Sequence, residues 1–213
     1  MQPIIRLFCV RHGETKANVA GICQGQSESP LTKNGLHQAT LVAKTLQNTV
    51  FLSAYSSDLS RAKDTCKEIV TQNIASIGLS ITLDKRIREY GRGWMEGQPF
   101  EGAKRDQAIA EKANQEIETT EEVIKRGQSF LYDLMTPHTA LPKQSLDTPT
   151  VLMVSHGHFL QTFFKEVLHL NIPQHWKVKN CSITVLDLVL SSDFDTKVTI
   201  QKLNDVCHLN QPL

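Results

Sequence analysis

The chain predicts an α/β fold built on a largely parallel sheet, and three observations lead there. Short apolar runs rich in β-branched residues alternate with amphipathic helical stretches along its 213 residues. Two of those runs, Ile4 to Val10 and Thr150 to Val154, stop abruptly at Arg11-His12-Gly13 and at Ser155-His156-Gly157. Polar stops of this kind suit the carboxyl ends of parallel strands, where open α/β sheets hold their ligands.

The elements follow in order. Ile4 to Val10 is the first buried strand, and the loop after it carries Glu14, Thr15 and Asn18. Thr32 is the predicted N-cap of a helix from about Lys33 to Gln47, with Leu36, Ala39, Val42, Ala43 and Leu46 as its apolar stripe. Val50 to Tyr55 reads as a second strand. A helix from Leu59 to about Thr71 then turns Ala62, Cys66, Ile69 and Val70 inward and places Arg61 in its first turn. Ile81 to Leu83 is a third strand, followed by Arg88-Glu89 and a glycine-rich stretch. Residues 101 to 136 are helical in two pieces, with Val123, Phe130, Leu131 and Leu134 on the stronger apolar face. The prolines between Thr136 and Pro149 predict a loop. Thr150 to Val154, a helix through Phe159, Phe163, Phe164 and Val167, and strands at Ile183 to Leu190 and Val198 to Ile200 complete the chain.

Composition narrows the classes. The length suits one domain over residues 1 to 213, with a helical, cap-like segment at about 90 to 136. A net charge of +1 argues against nucleic acid or an anionic membrane as partner. The five cysteines are scattered and form no Cys-x-x-Cys pair, so neither a zinc knuckle nor a disulfide framework is indicated. Reduced cysteines, the lack of a secretory pattern and the lack of a long apolar span together predict a cytoplasmic protein. Oligomeric state stays open, because the apolar stripes suit either the core or a partner.

Arg11-His12-Gly13, Arg61, Glu89 and His156-Gly157 all fall at strand ends or helix starts. Two guanidiniums can fork around a phosphoryl group, and a protonated His156 adds a third donor. A neutral His12 has a ring nitrogen free to attack phosphorus, and a phosphohistidine divides one displacement into two easier ones. Glu89 suits the acid that protonates the leaving oxygen and then the base that activates water; Glu96 and Glu101 are its nearby competitors. No metal or other cofactor is expected, because side chains supply the cations. His156 and His158 have the spacing of a ligand pair, but they lie at a strand-to-helix turn without an acidic cluster, and His158 reads as surface. Asp193-Phe194-Asp195 reads as a turn rather than the start of an aspartate-nucleophile motif.

These blocks resemble the histidine phosphatase superfamily, in its phosphoglycerate-mutase-like branch. The match runs from Arg11-His12-Gly13-Glu14-Thr15 with Asn18, through Pro30-Leu31-Thr32-x-x-Gly35 and Ser56-Ser57-Asp58-Leu59-x-Arg61-Ala62, to Arg88-Glu89 with Glu96-Gly97 and Val154-Ser155-His156-Gly157. Within the superfamily the nearest resemblance is to TIGAR and the fructose-2,6-bisphosphatase-like phosphatases, carried by Gly25-Gln26 and by Glu118-Thr119 with Val123 and Arg126. The resemblance implies a three-layer α/β/α sandwich in which His12 is phosphorylated. Arg11, Asn18, Arg61 and His156 are implied to bind the phosphoryl group and Glu89 to donate the proton. Gln24, Gly25, Gly157 and Asn180 complete the implied substrate-binding set. The implied activity is a metal-independent phosphomonoesterase that releases inorganic phosphate from a small metabolite, a fructose-2,6-bisphosphate-like sugar phosphate first. A phosphoglycerate-type mutase is the alternative, disfavoured because the paired-arginine insertion of dedicated mutases is missing. A protein-directed phosphatase or phosphoprotein-binding module is the other.

Overall fold

The computed structural model describes residues 4–99, 117–139, 148–173, 175–190 and 196–210. Six strands form one sheet: β1 (Ile4–Arg11), β2 (Ser53–Ser56), β3 (Ile81–Leu83), β4 (Thr150–Ser155), β5 (Ile183–Leu190) and β6 (Thr196–Asp205). Their order is β3-β2-β4-β1-β5-β6. The first four pair in parallel, and β5 runs antiparallel between β1 and β6. The helices are α1 (Lys16–Ala20), α2 (Lys33–Leu46), α3 (Ser60–Gln72), α4 (Thr120–Thr139) and α5 (Gly157–Thr162), the last continuing as a π-helical turn over Phe163–Val167.

The central strands are mostly apolar because both of their faces are covered. With side chains alternating, Ile5, Leu7, Cys9, Val151 and Met153 join a core completed by Phe130, Leu134, Phe159 and Phe163 of α4, α5 and the π turn. Val10, Leu152 and Val154 face the other way, into a core with Ala39, Val42 and Ala43 of α2 and Ala62, Cys66 and Ile69 of α3. The result is the expected three-layer α/β/α sandwich with a mostly parallel sheet.

Several boundaries differ from expectation. Leu36 is 54% exposed, since the stripe of α2 that meets the sheet starts at Ala39. Val50 and Leu52 are also exposed, and β2 begins only at Ser53. Helix α4 runs through Pro137 to Thr139, where a loop is predicted. Strand β6 is ten residues long rather than three; it pairs along one side only and is mostly exposed, so its apolar pattern is weak. The first predicted helical piece, Glu101 and Asp193-Phe194-Asp195 lie outside the described residues. Among the described residues no helix is long and apolar enough to cross a membrane.

Candidate active site

β1 and β4 are neighbours in register, with Arg11 opposite Ser155, so the two polar stops emerge side by side. The His12 N–H donates to the Ser155 carbonyl at 3.0 Å, which carries the pairing one residue past the strand. The His12 and His156 rings consequently lie 5.1 Å apart. Gly13 is required by close packing: a Cβ there would stand 2.5 Å from the Gly35 carbonyl oxygen at the start of α2.

His12 donates from Nδ1 to the Gly13 carbonyl at 2.7 Å, because a carbonyl can only accept. The Nε2 lone pair is therefore free. Burial, reinforced by the charges of Arg11 and Arg61, holds the ring pKa well below the ordinary histidine value, so it is neutral. Burial together with Arg61 does the same to His156, which corrects the expected protonated form. A neutral imidazole still offers one N–H, and neither nitrogen of His156 has a hydrogen-bond partner among the described residues.

Arg61 is 1% exposed at the start of α3. It donates through Nη1 to the Ser27 carbonyl (2.8 Å) and through Nη2 to that of Gly25 (2.7 Å), while its Nε has no partner among the described residues. Arg11 donates to the Val178 carbonyl at 2.7 Å, and its buried Nε likewise has no partner among the described residues. Gly157 makes room for it, since a Cβ there would come within 3.2 Å of Arg11 Nε. A capping box at α1 fixes Asn18: its Oδ1 accepts from the Thr15 N–H at 3.1 Å, leaving the amide nitrogen available. Asn180 braces this corner by donating to the His12 carbonyl (3.0 Å) and to Asn18 Oδ1 (3.3 Å). Gln24 accepts from the Thr15 hydroxyl at 2.9 Å, which likewise leaves its amide nitrogen available.

Glu89 is held from three sides. Oε1 accepts from the backbone N–H groups of Tyr90 (3.0 Å) and Phe159 (2.9 Å), and Oε2 from that of His158 (3.1 Å). Burial pushes its pKa up, but the nearby His158 and the three N–H groups outweigh it, so the carboxyl sits below its usual value. Glu96 instead accepts from the backbone N–H groups of Gln26 (2.8 Å) and Arg92 (3.0 Å). Arg126 anchors the segment that carries Glu89, donating to the carbonyls of Arg86 (2.6 Å), Arg88 (2.7 Å) and Glu89 (3.1 Å).

A cavity of about 490 Å³ opens onto Arg11, His12, Asn18, Gln24, Gly25, Arg61, Glu89 and Gly157. His156 lies beneath it against His12, and Asn180 supports the wall through its bonds to His12 and Asn18. The structure thus brings together the residues singled out in the sequence.

Family comparison agrees with this geometry. Residues 7–201 match the Histidine phosphatase superfamily (branch 1). The chain belongs to the histidine phosphatase superfamily.

Relatives in that superfamily include a probable phosphoglycerate mutase, GpmB, from Yersinia pestis, 33% identical over 98% of this chain and 97% of its own. A mycobacterial glucosyl-3-phosphoglycerate phosphatase solved with VO3 is 26% identical and superposes with a TM-score of 0.79, covering 95% of this chain and all of its own. A phosphoglycerate mutase from Bacillus anthracis, at 21% identity, shares the fold over 98% of this chain and 96% of its own with a TM-score of 0.77.

The cavity also holds residues that sequence reasoning passed over. His158, read as surface, lies 3.8 Å from Glu89 through Nδ1. Arg92, Gln161 and Lys177 line the same space. They come singly from separate segments and share no motif; only the position of Arg92, three residues after Glu89, was a signal. Among the described residues no group of three or more His, Cys, Asp or Glu side chains could hold a metal ion.

Proposed function

We propose that this histidine phosphatase family member is a phosphomonoester hydrolase that works through a phosphohistidine at His12. One observation carries the reading: the Gly13 carbonyl fixes the His12 proton on Nδ1, so Nε2 is unprotonated in a pocket flanked by the buried Arg61 guanidinium and that of Arg11. The phosphoryl dianion is received by Arg11, Arg61, the Asn18 and Gln24 amides and the His156 N–H; Arg11 Nε, Arg61 Nε and the His156 nitrogens have no hydrogen-bond partner among the described residues. Nε2 attacks phosphorus in line with the leaving oxygen, the P–O bond breaks, and Glu89 protonates the departing alkoxide. Glu89 then takes a proton from water, the resulting hydroxide attacks phosphorus, and the Nε2–P bond opens to release inorganic phosphate.

The ionised state of Glu89 in the free protein suits the second half-reaction. For the first, an incoming phosphoryl dianion raises the carboxyl pKa by like-charge repulsion, so a proton arrives with the substrate. The cations of this scheme are side chains, and activity is expected to survive a metal chelator.

The first substrate class to try is a fructose-2,6-bisphosphate-like sugar phosphate, supported by the resemblance around Glu118 and Arg126. A mutase is the second reading, supported by the name of the Yersinia relative; the lack of a paired-arginine insertion counts against it. The test is to quench the reaction in alkali and look for phosphate that stays bound in base and is released in acid. Failure to trap such a species, or full activity in His12→Ala, overturns the mechanism.

A further inference from the structure

A phosphoryl group occupies only part of a cavity of about 490 Å³, a size within the roughly 300–1,000 Å³ typical of small-molecule sites. Two cations in its lining are left over once the phosphoryl cradle has been assembled. Arg92 reaches it from the segment after Glu89, and Lys177 from the segment before β5. Neither forms an ion pair among the described residues. The nearby carboxylates are already engaged: Glu89 by three backbone N–H groups and Glu96 by those of Gln26 and Arg92.

Arg92 is held in place. Its guanidinium lies 4.8 Å from the centre of the Tyr90 ring, and the Tyr90 hydroxyl is hydrogen-bonded to that of Thr162 at 2.8 Å. The charges of Arg92 and Lys177 both bear on His158, as does that of Arg11, which together with Arg61 also bears on His12. Beside them, Gln161 uses its amide nitrogen to donate to the Trp176 carbonyl at 2.8 Å, which leaves its oxygen to accept from a ligand hydroxyl.

We propose that the leaving group of the substrate carries a second anionic group, a carboxylate or a phosphate, bound by Arg92 and Lys177, with a hydroxyl directed at Gln161. This rests on the reading of His12 as the phosphoryl acceptor, and it narrows that reading: neutral alcohol phosphates are poor substrates.

The test uses the full chain and p-nitrophenyl phosphate as the reporter. Matched compounds compete for the site: glycerol 3-phosphate against 3-phosphoglycerate for a carboxylate, and fructose 6-phosphate against fructose 1,6-bisphosphate for a phosphate. The doubly anionic member of at least one pair is expected to bind about tenfold tighter or better, the scale of one charge-assisted hydrogen bond. Which pair responds identifies the anion. That ratio collapses towards one in the Arg92→Gln/Lys177→Met double variant. Should the double variant fold poorly, the exposed Lys177→Met alone lowers it. Lys44→Met removes the same charge from the end of α2 and leaves the ratio unchanged, which excludes a bulk charge effect. Equal affinities within both pairs, or a ratio that survives the double variant, overturns the second-anion site while leaving phosphohistidine catalysis standing. Reporter hydrolysis that persists in His12→Ala overturns the catalytic reading, and the second-anion site falls with it.

Discussion

Glu89 concentrates the opposing forces of the site on one side chain. Burial disfavours its charge, yet three backbone N–H groups converge on its oxygens and hold it ionised. On the proposed mechanism its acidity has to change during turnover, since it gives up a proton in one half-reaction and takes one in the other. Glu89→Gln keeps the shape and loses the proton, and kcat is expected to fall by about 10²–10⁴-fold, the usual span for a general acid–base group. Inhibition by inorganic phosphate should change by far less. Equal losses in both measurements move the proton donor elsewhere. Gly157 makes the complementary case for binding. In Gly157→Ala the new methyl group meets the Arg11 guanidinium at 3.2–3.3 Å, so the arginine has to move. Phosphate affinity is expected to drop about tenfold, the scale of one charge-assisted hydrogen bond, while the melting temperature shifts little. Unchanged phosphate inhibition in this variant would remove Arg11 from the cradle.

At the scale of elements, the segment after β3 owes its position to α4. Arg126 donates to three successive stretches of its backbone and pairs with Glu118 at 2.6 Å, and its guanidinium lies 4.9 Å from the centre of the Phe159 ring. With 15% of the side chain exposed, its removal takes the donor from three carbonyls and leaves the Glu118 carboxylate with the Gly91 N–H but without its cation. Arg126→Met is expected to cost about 3 kcal/mol, in the range for breaking a buried pair, measured by denaturant unfolding. It should also lower kcat by displacing Glu89. A stable variant with normal turnover would show that the segment holds itself. Much of this layer was legible in the sequence. Strands β1 and β4 declare themselves because apolar cover on both faces makes them continuous apolar runs, and Thr32 announces α2 because an N-cap is a local event. Edges were harder to read: β6 is mostly exposed, and Val50 and Leu52 look like strand residues but lie before β2. The residues of the proposed phosphoryl cradle were legible because they sit at element ends that carry motifs. Arg92, Gln161 and Lys177 were not, because only the folded chain brings such isolated residues together.

At the scale of the whole molecule, the sandwich places four positively charged or chargeable groups at one end of its central strands. Arg11 and Arg61 stay cationic, and the rings of His12 and His156 are kept neutral by burial and by those guanidiniums. In the unfolded chain both histidines regain ordinary pKa values near 6.5. As pH falls below that value the unfolded state binds protons that the folded state refuses, and stability declines. Burial lowers the His208 pKa too, so it contributes in the same direction. Thermal unfolding is therefore expected to show a falling midpoint between pH 7.5 and 5.5, before the carboxylates titrate. His12→Asn and His156→Asn should each flatten that decline without abolishing it. Added phosphate should raise the midpoint of the wild type, because it binds only the folded state and supplies the negative charge these groups surround. A midpoint that is flat over this interval, or as steep in both variants as in the wild type, would mean that the histidines are not held neutral by the fold.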